Sequence, residues 1–414
     1  MKEVVVIGGG IVGCCCAWYL QKAGMKVTII DKGDFIDGCS FGNSGMIVPS
    51  HFTPLASPGM VAKGLRWMFR KDSPFYIRPR LNLELAQWLW KFSRSANKKH
   101  VTESASLLRD MHFEGHAFYD HLNTLPGFDF NFEKKGILMM YQSSQAEHEE
   151  AETAEMAFEL GIESNVLSPI ALKSLERNIR MDVRGAVHYP GDAHLAPHRL
   201  MQQLITQLQD SGVELIKGSE VLKIADAGID GVTLLLRNDV TLRSRYVVLA
   251  AGSWSGMILG HSGFSLPMQD GKGYSMTFDR PPALPTIPAI LTEARVAITP
   301  MGESLRVAGT LEISGMDHKI SSHKVKSILS AARSYYPDLK FDIPRSVWHG
   351  YRPCTPDGLP YIGKWKNDSS IILATGHAMM GLSLAPSTAR IVRDIIVDKG
   401  KNGPDKKLKA DRFS

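Results

Sequence analysis

The stretch VVVIGGGIVG, residues 4–13, decides how the rest of the chain is read. Val4–Ile7 is a short β-branched run of the kind found in a parallel strand buried on both faces. Gly8-Gly9-Gly10-Ile11-Val12-Gly13 follows as a G-x-G-x-x-G. Ile11 to Ala23 then reads as a helix, closed by Gly24 just past its end. A second strand, Lys26–Ile30, ends in Asp31, 18 residues after Gly13. A glycine motif alone says little. Between a strand and a helix, with an acid at the tip of the next strand, it is a dinucleotide fingerprint. Gly8 allows the tight turn, Gly10 lets the backbone approach a pyrophosphate, and Gly13 lets helix and sheet pack closely. The helix N-terminus attracts phosphate. Asp31 suits ribose hydroxyls and repels a 2′-phosphate, which disfavours NADP. A glycine-rich turn without a ligand is the bland alternative, and its setting disfavours it.

The same helix carries Cys14, Cys15 and Cys16 in a row. Neighbouring helical side chains point about 100° apart, so three thiolates cannot converge on one metal. Zinc wants spaced ligands such as C-x₂-C. These cysteines read as small packing residues, and no metal site is expected. Five cysteines, three of them adjacent, do not make a secreted disulfide framework. The start of the chain shows no signal-peptide pattern, and no uncharged run of 18 apolar residues would span a membrane. A net charge of +6 is too mild for a dedicated nucleic-acid binder. The expected compartment is a reducing cytoplasm, and no nucleic-acid partner is expected.

NAD and FAD share the fingerprint, so segments further out must separate them. DGCSFGNSGMIVPSH (37–51) is a loop of small polar residues and glycine, able to wrap a pyrophosphate and run along a flat ring. GVELIKGSEVLKI (212–224) reads as strand, turn, strand. RYVVLAAGSWSG (245–256) is a buried strand running into small residues, and SSIILATGHAMMGLSLAPSTARIVRDII (369–396) repeats strand, glycine turn, helix. Together VVVIGGGIVG, LAAGSWSG, GYRPCTPDGLPYIG and TGHAMMGLSLAP resemble the FAD-dependent D-amino-acid oxidase and glycine oxidase superfamily. Within it, GKGYSMTF (271–278), ILTEARVAITPMGESLRVAGTLEISG (290–315) and GYRPCTPDG are most similar to the bacterial D-amino-acid dehydrogenases, including D-hydroxyproline dehydrogenase types. The resemblance runs from Lys2 to about Lys399.

It implies an extended FAD. Gly8, Gly10, Ile11, Val12, Gly13, Asp31 and Lys32 would hold the ADP half. Ser40, Asn43, Ser44, Gly45 and Met46 would run from pyrophosphate to flavin. Val221 would face adenine, and Ala251, Gly252 and Trp254 would flank the cofactor. Gly376, His377, Gly381, Leu382 and Ser383 would lie beside the isoalloxazine, where a helix beginning near Leu382 aims its positive end. In the related sarcosine oxidases a cysteine tethers the ring. That position falls at Gly350 here, not Cys354, so non-covalent FAD is expected.

Arg352, in WHGYRPCTPDGLPYIG, has two readings. From the residues alone it is a structural arginine pairing with Asp357. The resemblance makes it the binder of the substrate α-carboxylate, for which a planar guanidinium fork is suited. His377 reads equally as a flavin contact or a hydrogen-bonded structural histidine. Tyr351 and Tyr274 are pocket candidates with a core tyrosine as the stronger reading, and His51 is placed to enter the pocket mouth. The pocket tyrosine of the glycine oxidases falls at Ala297, which argues for a roomier site. The expected chemistry is hydride transfer from the α-carbon of a D-amino acid to flavin N5, giving an imino acid and then a 2-oxo acid. A cyclic D-proline or D-hydroxyproline is one candidate substrate, with electrons passing to quinone or another carrier. An oxygen-using oxidase and a flavin-bearing subunit without activity of its own are the alternatives.

Residues 64–99 hold nine Lys/Arg, two acids and three of the seven tryptophans, Trp67, Trp88 and Trp90. They read either as amphipathic helices of the substrate domain or as a peripheral contact with the cytoplasmic face of a membrane. The tail 399–414 reads as basic and frayed. The expected architecture is α/β. A Rossmann-like FAD-binding domain of glutathione-reductase type is assembled from 1–62, 195–262 and 346–414. An α+β substrate domain from 63–194 and 263–345 carries a mixed or antiparallel sheet.

Overall fold

A computed structural model describes residues 2–36, 38–62, 64, 73, 75–78, 80, 82–228, 231–365, 370–398 and 404–413. The strand Lys2–Ile7 lies inside an eight-stranded sheet, with Val4, Val5 and Val6 wholly buried. Val27–Ile30 pairs with it on one side and Thr241–Leu249 on the other, both parallel. Glu214–Ile216 and Ile371–Thr375 extend the parallel core outward. Antiparallel strands Val221–Gly228, Gly231–Leu236 and Tyr361–Lys364 finish the sheet. This is the Rossmann-like layer expected from the fingerprint.

The first helix, Ile11–Lys22, ends beside Gly24 at φ 83°. It packs on the C-terminal helix Gly381–Val397 in one apolar core. Cys14, Cys15 and Cys16 are wholly buried there, and burial pushes all three thiols up, out of reach of ionisation. Among the described residues no group of side chains is arranged to hold a metal ion.

The second sheet has nine strands. Its order is Ser346–Cys354, Gln269–Asp279, Ser304–Ile313, Val296–Met301, Ala289–Leu291, Ile137–Tyr141, Gly185–Tyr189 and Asn165–Leu167, with Phe75–Ile77 on Ser304–Ile313. Most pairs are antiparallel. Ala289–Leu291 with Ile137–Tyr141, and Phe75–Ile77 with its neighbour, run parallel, so the sheet is mixed. One boundary differs from the sequence reading. The strand Ser346–Cys354 belongs to this second sheet, and the chain rejoins the first only at Tyr361. A two-stranded ribbon, Met46–Ile47 with Ala193–His194, ties the glycine-rich loop to a segment far along the chain.

Of the basic aromatic stretch, residues 63, 65–72, 74, 79 and 81 lie outside the described residues, Trp67 among them. The helix Leu83–Ser95 is capped by Asn82, whose side chain accepts from the Leu85 N–H at 3.1 Å. Trp88 is buried, stacks on Phe92, and donates its indole N–H to the Cys354 carbonyl at 2.9 Å. Trp90 on the same helix is exposed. One tryptophan therefore serves the core and the other does not. No described helix is long and apolar enough to cross a membrane.

The tail corrects the sequence reading. Leu408 is fully buried. The Arg412 guanidinium bonds both oxygens of Asp357, at 2.6 and 2.9 Å, and the Leu359 carbonyl at 2.7 Å. It also stacks over Tyr361. Asp357 is thus the partner of Arg412, not of Arg352. Both side chains are over nine-tenths buried, and removing one partner of such a pair costs about 3–5 kcal/mol because the other charge is stranded. Arg412→Ala should lower stability by about 3 kcal/mol in urea unfolding of the holoprotein; a loss near zero would mean the tail is not docked.

Candidate functional site

A cavity of about 960 Å³ is lined from both sheets. That is at the upper end for small-ligand sites and leaves room for a cofactor together with a substrate. Its dinucleotide end is built from the first strand–helix turn. Gly8 takes φ 108°, and a Cβ at Gly13 would collide with the Gly8 carbonyl oxygen, so the helix starts hard against the strand end. Gly8, Gly10, Ile11 and Val12 line the cavity, and the helix start at Gly10 has no cap from its own side chain. Ser40 Oγ accepts from the Ile11 N–H at 2.9 Å. Asp31 Oδ2 accepts from Gly9 N–H at 2.6 Å and Oδ1 from Gly33 N–H at 2.8 Å. An acid pinned at the strand tip beside a helix N-terminus open to a cavity fits an adenosine diphosphate group. Val221, Ala251, Gly252 and Trp254 continue this wall, and Lys32 Nζ lies 3.6 Å from the Trp254 ring centroid.

Four expected cofactor residues are not on the wall: Gly13, Gly45, Gly376 and Ser383. Gly13 acts through packing, as expected of the third glycine. Gly45 backs onto the Leu195 carbonyl and Gly376 onto Thr355. Ser383 is buried one turn into the C-terminal helix. Its Oγ accepts the Val48 N–H at 3.1 Å and bonds His112 Nδ1 at 2.7 Å. Small residues at a glycine turn thus serve backbone packing as well as ligand approach.

Asn43, Ser44 and Met46 line the middle of the cavity, with Gly381 and Leu382 at the start of the C-terminal helix. The loop is held by Arg306, which the sequence reading missed. Arg306 is buried in an apolar strand and donates to the carbonyls of Phe41 and Asn43 at 2.8 and 2.7 Å. Burial lowers its pKa to about 10. Nothing in ESLRVAG distinguishes it from an outward strand residue. At Gly350, where a tethering cysteine would stand, a side chain would run into the Trp348 indole. Cys354 Sγ is buried and directed to the Arg352 carbonyl at 3.3 Å. Both features suit a cofactor held without a covalent bond.

The substrate end is floored by the second sheet. Arg352 is enclosed by protein yet keeps part of its surface open to the cavity. Its guanidinium lies on Gly273 and donates to the Thr310 carbonyl at 2.5 Å. Thr310 sits at φ 70° beside a register shift between Lys272 and Tyr274. A β-branched residue rarely adopts that conformation, and such strain gathers at functional sites. Among the described residues no carboxylate pairs with Arg352, and burial lowers its pKa. A guanidinium so placed suits an anionic ligand.

The remaining candidates divide. Tyr351 lines the cavity edge-on to Trp254, with its hydroxyl 3.4 Å from His318 Nδ1 and its pKa raised by burial to about 12. Tyr274 also lines it, but its hydroxyl is committed to Glu312 at 2.8 Å. His377 is on the wall, with Nε2 2.9 Å from Thr388 Oγ1, whose own proton goes to the Leu384 carbonyl. Burial lowers the His377 pKa to about 3, so it stays neutral. His51 lines the cavity with its pKa lowered to about 4 by burial and then by Arg295. Arg295, in the turn LTEARV, was also missed. It lies at the cavity rim at φ 51°.

Comparison with known proteins adds the following. The DAO family model, described as FAD dependent oxidoreductase, matches residues 3–395. The D-amino acid dehydrogenase of Helicobacter pylori is 30% identical over 401 residues, covering 96% of this chain and 95% of that protein. That of Vibrio atlanticus (strain LGP32) is 28% identical, covering 100% and 99%. Glycine oxidase from Geobacillus kaustophilus superposes with a TM-score of 0.79 at 21% identity, covering 99% and 98%. L-proline dehydrogenase from P. horikoshii does so at 0.72 and 19%, covering 100% and 97%.

FAD is the cofactor that these observations support together. Asp31→Asn removes the charge that holds two backbone N–H groups at the cavity wall. The expected result is FAD bound at least about tenfold more weakly, since a charge-assisted hydrogen bond contributes about 1.5–3 kcal/mol. Flavin retained on desalting and its fluorescence on release would measure it.

Proposed function

The chain belongs to the DAO family of FAD dependent oxidoreductases, and from that premise we propose that it oxidises small D-amino acids at the α-carbon. It is an FAD-dependent oxidoreductase acting within the amino acid dehydrogenase and oxidase group. The observation that carries the substrate reading is Arg352, a guanidinium enclosed by protein, without a carboxylate partner among the described residues, facing the cavity. In this reading its two outer nitrogens take the substrate carboxylate, while the strained Thr310 carbonyl holds the fork in place. Binding the carboxylate fixes the α-carbon relative to the cofactor, and orientation supplies much of the rate. FAD, when bound, accepts the hydride from the α-carbon. The walls keep water away while the imine forms. His377 is held neutral by burial and adds no charge there. The imine then hydrolyses to a 2-oxo acid.

Ala297, Gly273 and Gly309 line the cavity around the arginine, and their small size leaves room for a ring. A cyclic substrate such as D-proline or a D-hydroxyproline is therefore included, giving a pyrroline carboxylate. Electrons are proposed to leave to a quinone or another carrier. Direct use of oxygen, the oxidase alternative, is separated by peroxide release during turnover. Yellow protein that no amino acid bleaches would favour a flavin-bearing subunit.

The test is anaerobic bleaching of the purified flavoprotein by D- and L-alanine, D- and L-proline, the 4-hydroxyproline isomers, glycine and sarcosine. Bleaching by D-isomers alone supports the proposal; bleaching by glycine or sarcosine alone overturns it. Arg352→Ala should retain FAD and lose roughly a thousandfold in bleaching rate at limiting substrate, the equivalent of about 4 kcal/mol for a desolvated charged contact. An unchanged rate would remove Arg352 from the site.

A further inference from the structure

Asp192 is wholly buried in a turn, and no cation pairs with it among the described residues. Its two oxygens both take hydrogen bonds from Ser50. Oδ1 accepts the backbone N–H at 3.0 Å and Oδ2 the hydroxyl at 2.5 Å. Ser50 Oγ in turn lies 3.1 Å from Nδ1 of His51. Ser50 and His51 both line the cavity. His51 Nε2 takes no hydrogen bond from the described residues, and the ring is partly accessible only because the cavity reaches it. The chain carboxylate–hydroxyl–imidazole therefore runs from a dry interior to the ligand space.

A serine has one proton, and that fixes the tautomers. With Asp192 ionised, the Ser50 hydroxyl points to Asp192 and its oxygen accepts from His51 Nδ1–H. His51 then presents an unprotonated Nε2 to the cavity. With Asp192 protonated, the carboxyl donates to Ser50 Oγ, the hydroxyl turns to Nδ1, and Nε2 carries the proton. The two arrangements differ by one proton taken up at Nε2 and stored on Asp192.

The position of His51 matches the substrate end. Arg352 bonds the Thr310 carbonyl. Continuing the antiparallel register Val296↔Gly309 by one residue sets Arg295 opposite Thr310, and Arg295 is the charge that His51 feels. Arg352, Arg295 and His51 all line the one cavity in which a substrate held by Arg352 would present its amine. A D-amino acid enters as an ammonium, and its nitrogen lone pair is free only after one N–H proton leaves. Two guanidinium groups in the same cavity, Arg295 and Arg352, disfavour the ammonium form.

We infer that Asp192, Ser50 and His51 form a proton relay that accepts the substrate ammonium proton before α-carbon oxidation. The substrate N–H bond breaks as His51 Nε2–H forms. His51 Nδ1–H passes its proton to Ser50 Oγ, and the Ser50 hydroxyl proton passes to Asp192 Oδ2. The cationic ammonium and the anionic carboxylate both end neutral, and no electrons move. His51 is the catalytic residue, and Ser50 and Asp192 position and discharge it. The surroundings suit this use. Burial raises the Asp192 pKa to about 7, partly offset by the two Ser50 bonds. The neighbours facing the relay are Arg295 from its turn, His112 from the helix Lys98–Leu122, and Tyr189 from the second sheet, with Glu149 and Glu150 along the cavity. His112 has its pKa lowered to about 3 and stays neutral through the working range.

The inference rests on the amino-acid reading above, and two measurements separate their failures. The first is the pH profile of anaerobic flavin reduction by the best D-amino acid. Wild-type enzyme should level off above about pH 7, where the relay is empty. His51→Phe and Asp192→Asn should lose the plateau, fall about a hundredfold at pH 7, and climb about tenfold per pH unit as free amine becomes available. Profiles merely displaced downward, parallel to wild type, would mean a structural role and overturn the relay. The second needs no substrate. In ¹⁵N-histidine-labelled holoenzyme, the His51 signals, identified by their loss in His51→Phe, should show a bare Nε2 at pH 8.5 and a protonated one at pH 5.5. Asp192→Asn should abolish that change. A His51 whose Nε2 keeps one state, or changes equally in Asp192→Asn, overturns the relay even if no D-amino acid reduces the flavin.

Discussion

The Gly8 carbonyl lies where a side chain on residue 13 would have to go, and the cofactor end of the molecule depends on that contact. Because Gly13 has no Cβ, the first helix can begin directly over the end of the first strand. Gly8 itself is hemmed in by the Ala250 carbonyl from the neighbouring strand. Two strands and a helix therefore converge on one point that is bare of side chains. The helix N-terminus faces the space above the carboxyl ends of the strands, where a pyrophosphate gains both N–H donors and the favourable end of the helix dipole. Asp31 closes the same corner by taking the Gly9 N–H, so the loop is rigid from both sides.

A second constraint is electrostatic. Arg306 and Arg352 stand on strands of the second sheet, shielded from bulk water, and among the described residues neither has a carboxylate partner. Two other shielded cations have carboxylate partners: Arg412 with Asp357, and Lys324 with Glu312. Enclosing an unpaired guanidinium is costly unless carbonyls or a ligand compensate it. Arg306 is compensated by two loop carbonyls and a threonine hydroxyl, which makes it a fastener. Arg352 has one carbonyl and an open side, and in the proposed reading an anion completes its compensation. In that reading the cavity is positive around Arg352, and a substrate carboxylate would lower its energy.

How much of this was legible follows from how local each constraint is. The strand, glycine turn, helix and Asp31 all fall within the first 31 residues, and each leaves its own mark, so that unit could be read directly. The partner of Asp357 could not. Arg352 lies five residues away in sequence, but the tail returns from residue 412 to take the bond, and nothing in KKLKADRFS reveals that Leu408 is buried to guide it. Ser383, Gly45 and Gly376 carry the same signature of small residues whether a ligand or another backbone approaches. The second sheet is expected from the sequence as mixed or antiparallel, but Ser346–Cys354 joins it by pairing with Gln269–Asp279, a long-range choice without a local signal. Arg306 and Asp192 were invisible for the related reason that burial, not residue type, gives them their roles.

The glycine-rich loop is where the two constraints meet. Ser40 accepts from the first turn of the helix, Phe41 and Asn43 hold Arg306, Met46–Ile47 pairs with Ala193–His194, and Ser50 binds Asp192, one residue before that ribbon. The loop is thus fastened at successive points from the cofactor end to the substrate end. A displacement at Arg306 would be passed along the ribbon to Ser50, because a hydrogen-bonded strand pair shifts as a unit rather than residue by residue. Placing the group that faces the amine on the same continuous segment as the cofactor wall keeps their separation fixed without any direct contact between them. In the proposed reading that segment fixes the cofactor wall and the relay relative to one another, and Arg352 on the second sheet anchors the amino acid against them.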